Sequence, residues 1–203
     1  MSAYLATKLA HLLCFVYWLG ADVGVFYSSR YVCDPSLGIE ARTVAARIMG
    51  WIDMIPRYSL VLILPLGLTL ASQSGWLAMP GAVVQATWFS ALLWLALVWS
   101  VTRFARTRFG DALKRVDYLV RLALIVVLVV TSLAGLAGRG PVSQPWLAAK
   151  LMVFALAIAS GLAIRILAAP FGPAFAQVVS RGSTPELERT MRSAMARSSA
   201  LFK

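Results

Sequence analysis

Apolar stretches of about twenty residues recur along this sequence, and their length restricts its folding more than any other feature. An α-helix of that length spans the hydrocarbon core of a bilayer, which is roughly 30 Å thick. The chain is 60% hydrophobic and 13% charged, whereas soluble domains carry roughly 25% charged residues. These features predict an all-α polytopic membrane protein, a helix bundle embedded in a lipid bilayer.

The pattern predicts five transmembrane helices, at residues 4–26, 52–71, 83–104, 118–136 and 146–167. The first stretch lacks a strongly basic leader and has no small-residue cleavage site before Asp22, so we expect it to be retained as the first helix. The predicted domains are a transmembrane bundle over residues 1–180 and a basic, amphipathic cytoplasmic tail over residues 181–203.

Basic residues alternate between the connections. Lysine and arginine are concentrated after helix one, after helix three and in the tail: Arg30, Arg42, Arg47, Arg57, Arg103, Arg106, Arg108, Lys114, Arg115, Arg121, Arg181, Arg189, Arg192, Arg197 and Lys203. The connection at 72–82 has none, and 137–145 has only Arg139. This positive-inside pattern predicts an outer N-terminus and a cytoplasmic C-terminus. The net charge of +11 therefore does not indicate nucleic-acid binding, and no basic-aromatic motif supports it.

Residues 38–55 form an amphipathic segment that leads into helix two. Its apolar residues recur at helical spacing: Val44, Ile48, Trp51 or Ile52, and Ile55. We expect a bend at Pro56, because proline removes a backbone donor and crowds the preceding turn, and a second kink at Pro65.

The tail at 183–199 opens with Thr184 as a predicted helix cap, Pro185 in the first helical position and Glu186 in the first turn. Its sequence favours a short helix lying on anionic lipid, with a solvated or disordered tail as the alternative.

Several polar residues, whose placement inside a membrane costs free energy, lie on one stripe of helix one. At 100° per residue the stripe contains Lys8, His11, Phe15, Trp18 and Asp22. His11 is the single histidine of the chain. It could ligate heme iron, relay protons, or hydrogen-bond a neighbouring helix.

Lys150, one turn after Trp146, is predicted to lie toward the same side of the membrane as Lys8 and His11. It could pair with a heme propionate or another carboxylate, or extend to the membrane surface beside the tryptophan.

Near the opposite membrane face, Asp53 and Arg57 are spaced as an ion pair beside Asp22, and the alternative is that these three residues form a proton path. Arg121 and Arg165 are expected to extend to lipid headgroups.

The sequence lacks the motifs of several enzyme and nucleotide-binding classes. There is no P-loop, no Rossmann glycine signature, no H-E-x-x-H and no G-x-S-x-G. Cys14 and Cys33 have no metal-binding spacing and no disulfide framework, and we expect them to be reduced thiols. A single histidine also excludes bis-histidine heme ligation within one chain.

Two motifs carry a family resemblance. The stretch KLAHLL at 8–13, followed by YWLG at 17–20, resembles the K-x-x-H…W-x-G helix of HemJ-type protoporphyrinogen IX oxidases and CopD copper-resistance proteins. The stretch PWLAAKL at 145–151 is similar to the W-x-x-x-K-L opening of a later HemJ helix. The resemblance implies heme b, with His11 as iron ligand, Lys150 and Lys8 holding carboxylates, and Trp18 packed near the porphyrin.

Three functions follow from these observations. The first is a heme-b redox protein, either an oxidoreductase of the HemJ kind or an electron-transfer subunit. The second is CopD-like copper transport, for which only Met152 is placed within a span near the outer side. The third is a non-catalytic subunit, a homo-oligomer or part of a larger complex, in which the aliphatic stretch 122–130 of helix four packs on a partner or faces lipid.

Overall fold

The regular elements of the computed structural model are α-helices, and the residues it describes, 2–105 and 107–200, contain no strand. Arg106 and Lys203, two of the basic residues named above, lie outside the described residues. The helices within this part of the chain are α1 Ala3–Val32, α2 Ile39–Ile52, α3 Met54–Gln73, α4 Gly81–Arg103, α5 Arg108–Leu136, α6 Pro145–Leu167, α7 Phe171–Arg181 and α8 Pro185–Ser199.

Five helical stretches in the described residues are long and apolar enough to cross a membrane: Ala3–Val32, Ile39–Gln73, Gly81–Arg103, Arg108–Leu136 and Pro145–Arg181. The predicted all-α polytopic fold and its five spans are thereby confirmed. The predicted start of helix four at Tyr118 is wrong, because α5 begins at Arg108. The hydroxyl of Thr107 accepts a hydrogen bond from the Gly110 amide at 3.0 Å, and this cap extends the helix beyond its apolar part.

The predicted bend at Pro56 is misplaced by three residues. Helix α2 ends at Ile52, Asp53 is its C-cap, and α3 starts at Met54. Pro56 therefore lies in the first turn of α3, where a missing backbone donor is tolerated. Pro65 lies inside α3, and the hydroxyl of Thr69 donates to its carbonyl oxygen at 2.7 Å.

The first of two compact units comprises residues 2–18 and 57–159. One of its cores is formed by Leu60, Leu128, Ala155 and Ile158, and the other by Ala71, Leu77, Val142, Leu147 and Ala148. Between α5 and α6, the Ser132 hydroxyl donates to the Ala148 carbonyl at 2.7 Å. A Cβ added at Gly135 would lie 2.9 Å from the Ala148 Cβ, so a larger residue at position 135 would crowd α6.

The second unit comprises residues 19–56 and 160–200. Its core contains residues from α1, α7 and α8: Val32, Phe171, Ala174, Val178, Met191 and Ala194. The tail is helical in α8, where the Thr184 hydroxyl accepts from the Leu187 amide at 3.3 Å, as its sequence predicts. Met191 and Ala194 are fully buried in this core. The position of α8 on anionic lipid stays a prediction, as does the orientation of the termini.

Candidate functional site

His11 of α1 and Lys150 of α6 meet within the first unit. The Nζ atom of Lys150 lies 3.5 Å from Nε2 of His11, at the outer limit of a hydrogen bond. An ammonium group has only donors, so Nε2 must accept, and the neutral ring then carries its proton on Nδ1. The structure thus brings together the two residues that the resemblance links, although 139 positions separate them.

The other ring nitrogen of His11 is buried and has no hydrogen-bond partner. The backbone carbonyl of Ile63 on α3 is near enough to act on the ring electrostatically, but it does not satisfy Nδ1. A buried N–H left unpaired costs about 1–3 kcal/mol. The site would therefore gain free energy from any rearrangement that brings a partner to this nitrogen.

Gly67 makes room for the imidazole. A Cβ added at Gly67 would lie 3.0 Å from Cε1 of His11, closer than ordinary van der Waals contact. Gly67 and Ile63 both belong to α3, so the ring of His11 lies against α3 at the position where Gly67 has no side chain. The candidate site is therefore built from α1, α3 and α6.

Trp18 and Lys8 take different positions along α1. Trp18 is half-buried and makes an edge-to-face contact with Phe154 of α6, with ring centroids 6.0 Å apart. It also packs against the core around Leu60 and Ile158. Lys8 is exposed one turn before His11, where an amine can reach an anionic group outside the bundle. Their predicted roles beside a porphyrin stay predictions.

Asp22, the acidic residue of the predicted stripe on α1, belongs to the second unit. Asp22 is half-buried, and its carboxylate is close enough to that of Asp53 for the two charges to interact. Asp53 closes α2, and Arg57 lies in the first turn of α3. The ion pair predicted between Asp53 and Arg57 stays a prediction.

A buried polar cluster that the sequence reasoning missed lies between α4 and α5. Trp94 Nε1 donates to Oδ1 of Asp117 at 2.9 Å, and Arg121 Nε donates to Oδ2 at 2.9 Å. The Arg121 guanidinium lies 5.2 Å from the Trp94 ring centroid. Asp117 is 1% and Arg121 2% exposed. The expectation that Arg121 reaches lipid headgroups is therefore wrong, because Asp117 holds it inside the bundle.

A second missed partner is Glu188 of α8, which binds Arg42 of α2 in the second unit. Arg42 Nη1 and Nη2 donate to the two Glu188 carboxylate oxygens at 2.7 and 3.0 Å, and its Nε donates to the Val32 carbonyl at 2.9 Å. Burial raises the pKa of Glu188, but hydrogen bonds from Arg42 and Ser183 outweigh it and leave the pKa below its ordinary value. This pair fastens α8 to α2.

Sequence signals existed for some of these groups. Asp117 and Arg121 are four residues apart, which is the spacing of a helical ion pair, but the predicted helix began after Asp117. Gly67 is one of several glycines in apolar helices, and nothing local distinguishes it. Glu188 lies 146 residues from Arg42, so no spacing rule relates the two.

The described residues contain no group of three or more histidine, cysteine, aspartate or glutamate side chains that could hold a metal ion. Cys14 and Cys33 are free, as predicted. Burial raises the pKa of the Cys33 thiol to about 11, so this cysteine is a poor nucleophile near neutral pH.

Comparison with known proteins adds no relative to this description. No protein-family model, no curated protein and no solved structure matches the chain.

Proposed function

We propose that this multi-pass membrane protein binds heme b through His11 and serves a redox role, as an electron-transfer subunit or an oxidoreductase of the HemJ kind in a bacterial inner membrane. The observation that carries the proposal is the 3.5 Å approach of Lys150 to His11 between two membrane-spanning helices. Polar groups inside a membrane are costly and are concentrated at functional sites. A cation beside a neutral imidazole suits a cofactor that combines an iron with carboxylates.

The residues present fit this cofactor. Ligation of iron by Nε2 requires a neutral ring with its proton on Nδ1, which is also the tautomer that can accept a hydrogen bond from the Lys150 ammonium. Ligating histidines almost always donate the other N–H to a carbonyl or carboxylate, and the Ile63 carbonyl is close to the unpaired Nδ1. The Lys150 side chain is exposed and has a flexible stem, so its ammonium can leave Nε2 for a propionate.

Heme would supply one-electron redox chemistry, and this chain would supply binding, orientation and a low-dielectric surrounding. Because His11 is the single histidine, any second iron ligand would come from another residue type or from a second subunit, or the iron would keep an open site. Trp18, seven residues after His11 on the same stripe, would pack beside the ring system.

The experiment is an absorption spectrum of protein purified in detergent from heme-replete cells. We expect a Soret band that is lost in His11→Ala and kept in Cys14→Ala, a matched change on the next turn of α1. Both variants should remain folded by circular dichroism. A colourless wild-type preparation, or a His11→Ala variant with an unchanged Soret band, contradicts the proposal.

A second candidate is a non-catalytic subunit, supported by the exposed aliphatic face of α5. Leu122, Val126, Val127 and Val130 are all more than half exposed on this helix. Such a face can pack on a partner helix as well as on lipid. Purification in a mild detergent distinguishes the two, because a stable partner subunit would co-purify and lipid contact alone would give one chain.

A further inference from the structure

An open crevice lies between α3 and α4 in the first unit, and its lining does not include His11 or Lys150. Its volume is about 450 Å³, and it is lined by Tyr58, Leu62, Leu95, Ala96 and Trp99. The lining surface is almost wholly apolar. The volume falls within the range of small-molecule sites, roughly 300–1,000 Å³.

The crevice lies at one end of an antiparallel helix pair. Tyr58 is one turn from the start of α3, and Trp99 is one turn from the end of α4. Toward the other end of the pair, Trp88 Nε1 donates to the Thr69 hydroxyl at 3.0 Å. Tyrosine and tryptophan are enriched where the hydrocarbon core meets the headgroups, so the mouth of the crevice has the composition of that interface.

Positive charge begins one turn beyond the crevice. Arg103 follows Trp99 by four residues and Ala96 by seven, so it lies on the same face of α4. Arg103, Arg108, Lys114 and Arg115 are all exposed in the same unit. The stretch 103–115 contains five basic residues and one acidic residue, Asp111. A ligand here would meet an apolar slot and then a cationic surface.

We propose that this crevice binds one acyl chain of an anionic phospholipid whose phosphate lies on Arg103. The apolar slot with a cation at its end matches an amphiphile with an anionic head, and basic surfaces beside transmembrane helices attract such lipids. A second copy of the chain is a poorer occupant, because it would bring the same basic stretch against this one. The proposal is independent of heme binding.

The experiment is native mass spectrometry of the full chain released from nanodiscs that contain equal amounts of phosphatidylglycerol and phosphatidylcholine. We expect wild-type protein to retain phosphatidylglycerol preferentially. Leu95→Trp fills the crevice and should lower that retention about tenfold. Leu93→Trp, the same change at an exposed position two residues earlier and nearly on the opposite face of α4, should leave it unchanged. Arg103→Gln should remove the preference for the anionic lipid while acyl-chain retention persists.

Ala96→Phe provides a second filling variant at an exposed lining position, in case Leu95→Trp does not fold. Equal phosphatidylglycerol retention in the filled variants and in Leu93→Trp overturns the proposal. So does equal retention of the two lipids by wild type. A dimer that only the filling variants dissociate also overturns it, because the occupant would then be a second copy of the chain.

Discussion

The Nζ atom of Lys150 lies 3.5 Å from Nε2 of His11, joining α6 to α1 next to Gly67 of α3. With the Lys150 ammonium as donor, Nε2 accepts, and Nδ1 is buried without a partner. A cationic side chain therefore adjoins the single histidine of the protein, within helices that are apolar enough to span a membrane.

Lys150→Met is expected to weaken heme binding about tenfold, which corresponds to about 1.4 kcal/mol. The variant removes a charge-assisted hydrogen bond to a propionate, a bond worth about 1.5–3 kcal/mol, but it keeps the iron ligand. The measurement is a titration of heme-free protein with ferric protoporphyrin IX, followed at the Soret band. Lys114→Met, which removes an exposed lysine of α5, should bind like wild type. Equal affinities of the two variants would remove Lys150 from the site.

Gly67→Ala is expected to lower the free energy of unfolding by about 1–3 kcal/mol, because its Cβ would press on the His11 ring in a packed interface. Gly161→Ala is the matched control, since a Cβ there meets nothing within 4 Å. The control should be neutral or gain up to about 1 kcal/mol of helix propensity. Unfolding in mixed detergent micelles measures both. A neutral Gly67→Ala would show that the helices have room at His11.

Asp117→Asn is expected to destabilise the protein by about 3–5 kcal/mol, because it leaves the buried Arg121 charge uncompensated. The double variant Asp117→Leu with Arg121→Leu removes both charges and should recover most of that loss. Thermal unfolding in detergent, monitored by circular dichroism, provides the comparison. A double variant less stable than Asp117→Asn would mean that the pair itself, and not the charge balance, stabilises the contact between α4 and α5.

Arg42→Gln is expected to free α8 from α2 and to speed maleimide labelling of Cys33 at least tenfold. Cys33 packs against the core that contains Met191 and Ala194 of α8, and burial holds its thiol pKa at about 11. Exposure would lower that pKa toward about 8.5, so more thiolate would form. The assay uses a Cys14→Ser background. Arg189→Gln, at an exposed position next to Glu188, should label as slowly as the parent. Equal rates in the two variants would contradict the fastening role.

Lowering the pH is expected to weaken the contact between α8 and α2, because protonation of Glu188 removes its charge from the pair with Arg42. The folded pKa of this carboxyl is below its unfolded value of about 4.3, so its contribution is complete above that value and is lost as pH falls through the folded pKa. Hydrogen exchange of the α8 amides, corrected for the intrinsic pH dependence of exchange, measures the loss. Glu188→Gln should show no such acid transition in α8. The same acid transition in both proteins would assign it to another group.

The local hydropathy pattern predicted the positions of the helices well, but it predicted their first and last residues less well. The apolar parts of all five spans are where hydropathy places them, because span length is a property of consecutive residues. The start of α5 and the break at Asp53 depend instead on a cap and on the position of a proline within a turn. The error at α5 placed Asp117 outside the span, and the partner of Arg121 was missed for that reason.

The sequence by itself determined that the chain is a five-span helical membrane protein and that His11 and Lys150 are among its costly polar residues, because apolar length and helical periodicity are local properties. Only the tertiary structure decided which distant groups meet: Lys150 and Gly67 at His11, Asp117 and Trp94 at Arg121, and Glu188 at Arg42. These pairings depend on which helix faces pack together. In a chain whose helix surfaces are apolar nearly all round, the sequence pattern leaves that choice open.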